Sequence, residues 1–382
     1  MNSNSILIIA GELSGDVQGG KLVAAIKKMS PDVSITGIGG DNMKDAGMEL
    51  LRHIREMSFL GFSEVIKHLP LIRQIMNELT EWIETNRPET VVLIDYPGFN
   101  LRLAKKAKKL GCRVVYYISP QIWAWGAGRI KKISRLVDHM IVVFPFEEKI
   151  YRSAGIKVDF VGHPILEGLK SELSRDEFFE KHGLKSDKSL VGLLPGSRIQ
   201  EVEKLYLPMI EAAELMKKEL PALQTVTGVS PTLNEKMYSI IETGKDLEHS
   251  KAVYDVMQHS DLLFVASGTA TLESACLGTP MIIVYKVSPV SWFLGKMLVK
   301  LKNIGLVNIV AGELIVPEIL QSEVTATRLA SEGLSLLGDK TLMEDTRKRL
   351  VMVKESLGKT GASQRAAELI VNRTSSKDNN KD

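Results

Sequence analysis

The chain has 382 residues, 44% of them hydrophobic and 25% charged, which makes it longer than one ordinary compact domain and too apolar for disorder. With 49 basic against 46 acidic residues the net charge is +3, a balance that argues against a chain built to hold nucleic acid; two cysteines, Cys112 and Cys276, offer neither a disulfide framework nor a cysteine zinc site. The opening MNSNSILIIAGELSGD lacks a basic leader, and nowhere do about 18 consecutive apolar residues occur, so a soluble or membrane-peripheral chain in a reducing cytoplasm is expected.

Short runs rich in Val, Ile and Leu recur along the chain, each followed by a loop and a stretch of helical periodicity: Ile6–Ala10, Val33–Ile38, Thr90–Ile94, Arg113–Ile118, His139–Val143 and Val158–Val161. Such runs read as repeated βα units, and near-continuous apolar strands need both faces covered, which implies a parallel sheet between helical layers. The rhythm pauses at Phe160–Pro164, passes the charged helix Ser174–His182, and resumes with Leu190–Leu194, Leu223–Thr227, Leu262–Val265 and Met281–Tyr285. The expected architecture is two Rossmann-like α/β domains over 1–165 and 166–345, then C-terminal helices over 346–373 and a polar tail, 374–382, expected to be disordered.

Ligands of doubly wound sheets sit beyond the carboxyl ends of the strands, so the loops after the apolar runs carry the functional information. The loop Gly11-Glu12-Leu13-Ser14-Gly15-Asp16 brings small residues that admit a ligand to the backbone, although it matches neither the dinucleotide nor the P-loop spacing; a tight turn into a helix is the plainer reading. Asp95, closing the run before Tyr96-Pro97-Gly98-Phe99-Asn100, is either a general base whose pKa a low-polarity setting raises, or a turn residue before proline. Gly196-Ser197-Arg198 at a helix start suits a diphosphate, with helix capping by Ser197 as the alternative. Gly268 and Thr269 open another helix whose Glu273 is placed either to accept ribose hydroxyls or to complement the helix dipole.

Other features point less sharply. The basic run Lys105–Lys109 fits a solvated helix face, and the seven histidines show no paired ligand spacing, so no metal is expected. Two greasy, basic stretches, Phe59, Leu60 and Phe62 near Lys67, and Trp292 and Phe293 near Lys296, Lys300 and Lys302, read equally as interfacial membrane contacts or as helices packed on the protein's own core.

Taken in order, GELSGD, IGG (Ile38–Gly40), GFSEV (Gly61–Val65), IDYPGFN (Ile94–Asn100), SPQIWAW (Ser119–Trp125), FPFE (Phe144–Glu147), VGHP, LLPGSR, ASGTATLE and VNIVAGELIVPEILQ (Val307–Gln321) make the chain resemble bacterial lipid A disaccharide synthases over nearly its whole length. The resemblance implies the GT-B architecture, two Rossmann-like domains whose parallel sheets face a central cleft. It also implies metal-free, cofactor-free transfer of a 2,3-diacylglucosamine unit from UDP-2,3-diacylglucosamine to 2,3-diacylglucosamine 1-phosphate, giving a β-1,6-linked disaccharide and UDP. In family terms Asp95 matches the catalytic base, Arg198 the diphosphate arginine, Glu273 the ribose ligand and Asn308 a polar position near the nucleotide, while Glu12, Ser14, Gly15 and Asp16 form the loop expected at the sugar or acceptor. Many members carry a second aspartate where this chain has Gly98, and an arginine where it has Lys286. The implied partners are the two lipid sugars and an anionic inner-membrane surface on the cytoplasmic side, with the oligomeric state open and a homodimer included. A UDP-N-acetylglucosamine epimerase or hydrolase of the same architecture, or a non-catalytic lipid- or nucleotide-binding protein, are the rival readings.

Overall fold

The computed structural model describes residues 5–57, 68–125, 127–231, 233–242, 247–288, 292 and 302–372. The chain forms two units, residues 1–167 with 357–382, and residues 168–356. Each is built on its own parallel sheet, as the recurrent βα pattern predicts.

In the first unit seven strands, β1 (Ser5–Ala10), β2 (Ser34–Gly39), β3 (Glu49–His53), β4 (Thr90–Ile94), β5 (Arg113–Tyr117), β6 (His139–Val142) and β7 (Val158–Phe160), lie in the order β3-β2-β1-β4-β5-β6-β7. All neighbouring pairs are parallel. Every residue of β1 and β4 is buried, which is why these strands read as unbroken apolar runs. Leu7, Ile9, Val91 and Leu93 share one core with Ile75, Leu79 and Ile83 from one face of the helix Leu69–Asn86. Full burial of each such side chain contributes about 1.5–3 kcal/mol.

The second unit repeats the plan with β8 (Leu190–Leu194), β9 (Gln224–Gly228), β10 (Glu248–Ser250), β11 (Leu262–Ala266), β12 (Met281–Tyr285) and β13 (Glu318–Leu320), ordered β10-β9-β8-β11-β12-β13 and parallel throughout. Val191, Leu193, Phe264 and Ile282 pack against Val202, Leu205, Tyr206 and Met209 of the helix Ile199–Glu219.

The boundaries differ from the expected ones. The first unit runs to Glu167, the helix Lys340–Ser356 belongs to the second unit, and the chain then returns so that the helix Ala362–Val371 belongs to the first. Residues 346–373 are therefore divided between the units rather than forming an appendage of their own. Arg113 binds the end of the returning helix, donating to the carbonyls of Ile370 (3.0 Å) and Leu369 (3.1 Å). Arg365 donates to Val161 O at 2.9 and 2.6 Å, and Ser363 N donates to Glu167 at 3.2 Å. The tail 374–382 lies outside the described residues.

Candidate active site

An open α/β sheet binds ligands where its strand order reverses, beyond the carboxyl ends of the strands. In the first sheet that point lies between β1 and β4, paired from Ile6↔Thr90 to Ala10↔Ile94, and in the second between β8 and β11. The loops leaving these four strands start at Gly11, Asp95, Pro195 and Ser267. All four loops singled out from the sequence thus stand at the two switch points.

In the first unit the loops after β1 and β4 are fitted together. The ring of Tyr96 lies where a Cβ on residue 11 would stand, so only glycine fits there. Asp95 and Tyr96 both adopt left-handed backbone, with φ +44 and +48. The Asp95 carbonyl is gripped by Tyr116 Oη (2.5 Å) and Asn100 Nδ2 (2.7 Å), and Asn100 Nδ2 also donates to Ile94 O at 3.1 Å. Burial, reinforced by the negative charge of Glu12, pushes the Asp95 carboxyl up to about 6, while a hydrogen bond from the Tyr96 backbone offsets part of the rise. Glu12 and Ser14 are exposed, and Gly15 is buried. Asp95 thus sits at the first sheet's switch point with its carboxyl raised toward neutral pH, the range useful to a proton acceptor.

In the second unit a cavity of ≈ 680 Å³ is lined by Gly196, Ser197, Arg198, Glu201, Gly268, Thr269 and Glu273, and also by Ser230, Lys251 and Tyr254. Six predicted positions from two loops therefore meet in one place. No side chain caps the helix Thr269–Leu277, whose N-terminus opens at Gly268, so its first N–H groups remain suited to an anion. Glu273 is half-buried and accepts from Tyr254 Oη at 3.2 Å. Burial raises the Glu273 carboxyl above its ordinary value, and the Tyr254 hydroxyl pulls it back. A half-buried carboxylate with one oxygen pinned is placed to receive a pair of sugar hydroxyls.

Comparison with known proteins bears on what these two sites do. The model of the Lipid-A-disaccharide synthetase family matches residues 6–371. The chain belongs to that family. It is thereby placed among the hexosyl-transferring glycosyltransferases, as the ordered motifs implied. The lipid-A-disaccharide synthase of Geobacter sulfurreducens is 43% identical over 372 residues, spanning 97% of both chains. Among solved structures, the UDP-GlcNAc 2-epimerase of Neisseria meningitidis, bound to UDP-GlcNAc, superposes with a TM-score of 0.65 at 12% identity, covering 96% of this chain and 100% of its own. The calicheamicin glycosyltransferase CalG4 gives 0.63 at 14% identity, covering 99% of each chain. At those identities the likeness is one of fold, and it agrees with two parallel-sheet α/β domains.

Two positions expected at the synthase's ligands are engaged elsewhere. Asp16 is 1% exposed, and its carboxylate accepts from Gly40 N (2.6 Å), Asn42 N (3.1 Å), Asn42 Nδ2 (2.8 Å) and Met43 N (3.1 Å). It ties the first helix to the start of the helix Asp41–Asp45, so its carboxylate is turned into the fold and not toward the surface of the loop expected at the acceptor. Asn308 is fully buried, donating to Val316 O (2.9 Å) and Glu318 (2.8 Å) and accepting from Ile315 N (2.9 Å) and Val316 N (3.1 Å). With all four bonding positions used, it braces a turn and does not line the cavity.

Three groups were given no role from the sequence, Glu147 being named there only as the end of the FPFE motif. Lys251 and Tyr254 follow β10, a three-residue edge strand with no apolar run to mark it. Glu147, 1% exposed, accepts from Ser119 Oγ (2.6 Å), Trp123 Nε1 (2.9 Å) and Phe144 N (3.3 Å), joining the loops that leave β5 and β6, and burial pushes it up to about 7. Of the expected membrane contacts, Phe59, Leu60, Phe62 and Phe293 lie outside the described residues; Trp292 is half-buried, its ring 6.4 Å from that of Tyr285. No helix among the described residues is long and apolar enough to cross a membrane.

Proposed function

We propose that the chain joins UDP-2,3-diacylglucosamine to 2,3-diacylglucosamine 1-phosphate with inversion, releasing UDP and the β-1,6-linked disaccharide 1-phosphate. The observation that carries this reading is the family match over residues 6–371, and Asp95, whose buried carboxyl is pushed up to about 6 at the first sheet's switch point, supports it. The acceptor's 6-hydroxyl attacks the anomeric carbon from the face opposite UDP. Its proton passes to Asp95, the bond from the anomeric carbon to the diphosphate oxygen breaks, and the electron pair leaves on UDP. In the second unit Arg198 and the uncapped helix start at Gly268 take the leaving diphosphate, and Glu273 takes the ribose diol. No metal or cofactor has a part in this scheme.

Substrates with two acyl chains must be gathered at a lipid surface, and we place the protein on the cytoplasmic side of an anionic inner membrane, held by the basic, apolar stretches around Phe59 and Trp292. Incubating the purified protein with the UDP-lipid donor, with and without the lipid phosphate acceptor, and identifying products by mass spectrometry tests the reading. Disaccharide phosphate and UDP in equal amounts, formed only with acceptor present, is the expected result. UDP released at the same rate without acceptor points to a hydrolase, and a changed sugar still attached to UDP points to an epimerase.

A further inference from the structure

The loop assigned above to the diphosphate does not have its donors free. Glu201 Oε2 accepts from the backbone N–H of Ser197 at 3.1 Å and of Arg198 at 3.3 Å, and Glu201 Oε1 accepts from Arg198 Nη1 at 3.1 Å. Gly196, with φ +123, passes so close to this carboxylate that a Cβ there would collide with it. Two backbone N–H groups at a helix start and a guanidinium gathered on one anion is the donor set that receives a phosphate. A capping glutamate needs only the N–H of the residue before the helix; Glu201 also holds the preceding residue and the arginine side chain. All four residues line the cavity that Glu273 and Tyr254 share. The two partners also differ in freedom, the Arg198 side chain being 77% exposed and that of Glu201 26%.

We propose that Glu201 is an internal competitor for the phosphate: its carboxylate holds the pocket's anion donors, and a nucleoside diphosphate binds by displacing it. This rests on the nucleotide reading of the cavity. A singly charged carboxylate yields to a diphosphate, which brings more charge and more acceptor oxygens to the same donors. An uncharged nucleoside has nothing with which to displace it. The same competition hastens departure of UDP after transfer, because the donors vacated by product regain a partner at once.

The test is calorimetric titration of the full chain with UDP, uridine and inorganic pyrophosphate, comparing the unsubstituted protein with Glu201→Gln and Glu201→Ala, alongside thermal unfolding. The neutral amide of Glu201→Gln keeps an acceptor for the cap but removes the charge. We expect it to bind UDP and pyrophosphate about three- to tenfold more tightly, with uridine unchanged. Glu201→Ala should shift in the same direction at a lower unfolding temperature. Unchanged or weaker UDP binding by a normally melting Glu201→Gln protein overturns the proposal and leaves Glu201 as a cap or an aligner of Arg198. If the unsubstituted protein binds neither UDP nor uridine, the nucleotide reading falls as well.

Discussion

Replacing Asp95 by asparagine should remove the chemistry and make the protein more stable at neutral pH. The carboxyl rises from 3.8 to about 6, chiefly through burial and secondly through Glu12. At ~1.4 kcal/mol per pH unit, holding the ionised form in the fold costs about 3 kcal/mol. The sign follows from linkage. Below about pH 4 both folded and unfolded chains are protonated at this position and the cost is absent; between about pH 4 and 6 the fold holds a proton that the unfolded chain has lost, so stability falls as pH rises, and above 6 the full cost is present. Asparagine keeps the shape and can still accept from the Tyr96 N–H. The variant should therefore melt higher than the parent at pH 8, by about 2–4 °C per kcal/mol, with the advantage shrinking through pH 6 and gone by pH 4. Turnover should fall by about 10²–10⁴. Melting curves and initial rates from pH 4 to 8 provide the data, with Glu12→Gln as a second arm, in which the rise of the parent's rate near pH 6 should move to lower pH. A variant that melts lower than the parent at every pH, or a parent rate flat across pH 5–7, would refute the argument that Asp95 is a desolvated base.

Glu273→Ala should weaken UDP binding by about 1.5–3 kcal/mol in calorimetry, and an unchanged affinity in a folded variant would remove Glu273 from the ribose. Tyr254→Phe deletes the hydroxyl that lowers the Glu273 pKa, so UDP affinity should decline more steeply in the variant as pH drops from 8 to 6; parallel pH profiles would show that the tyrosine does not tune the glutamate. Asp16→Ala strands four donors and should cost at least about 3 kcal/mol in denaturant unfolding, whereas a normally stable but inactive variant would return Asp16 to the ligand side. Binding to anionic vesicles should exceed binding to neutral ones, weaken with salt, and drop on replacing Phe59, Phe62, Trp292 and Phe293 by serine while UDP affinity holds. Joint loss of vesicle and UDP binding would assign those residues to the core.

How much could be read from the chain depended on where each strand lies in its sheet. β1, β4, β5, β8, β11 and β12 are interior strands buried on both faces, so their composition announces them, and the loops that follow β1, β4, β8 and β11 are the ones at the switch points. β3, β10 and β13 are edge strands, half-buried and only three to five residues long, with the patterns ELLRH, EHS and EIL. They carry no apolar run, and whatever follows them goes unread, as Lys251 and Tyr254 did. Side-chain direction was invisible for a different reason. Asp16 and Glu12 are both acids in a glycine-rich loop, and only the position of Gly40 and Asn42, more than 20 residues on, turns one inward and leaves the other exposed. The returning helix depends on Arg113 meeting carbonyls at positions 369 and 370, a pairing that no local pattern encodes.

Backbone strain and carboxylate desolvation fall on the same residue. A left-handed conformation at a residue other than glycine costs about 1–2 kcal/mol, and here two occur in succession, at Asp95 and Tyr96. They persist because Tyr116 and Asn100 fix the Asp95 carbonyl while the Tyr96 ring fills the space left by Gly11. A fully solvated aspartate, with a pKa near 4, would be ionised at neutral pH but a poor acceptor for a hydroxyl proton. Raising the pKa to about 6 makes the carboxylate roughly a hundredfold more basic and leaves about 90% of it ionised at pH 7. Two further units would gain another factor of about 100 in basicity but leave only about 10% in the working form. The partial exposure of Asp95, which is not sealed as Asp16 is, holds the carboxyl near the favourable side of that exchange.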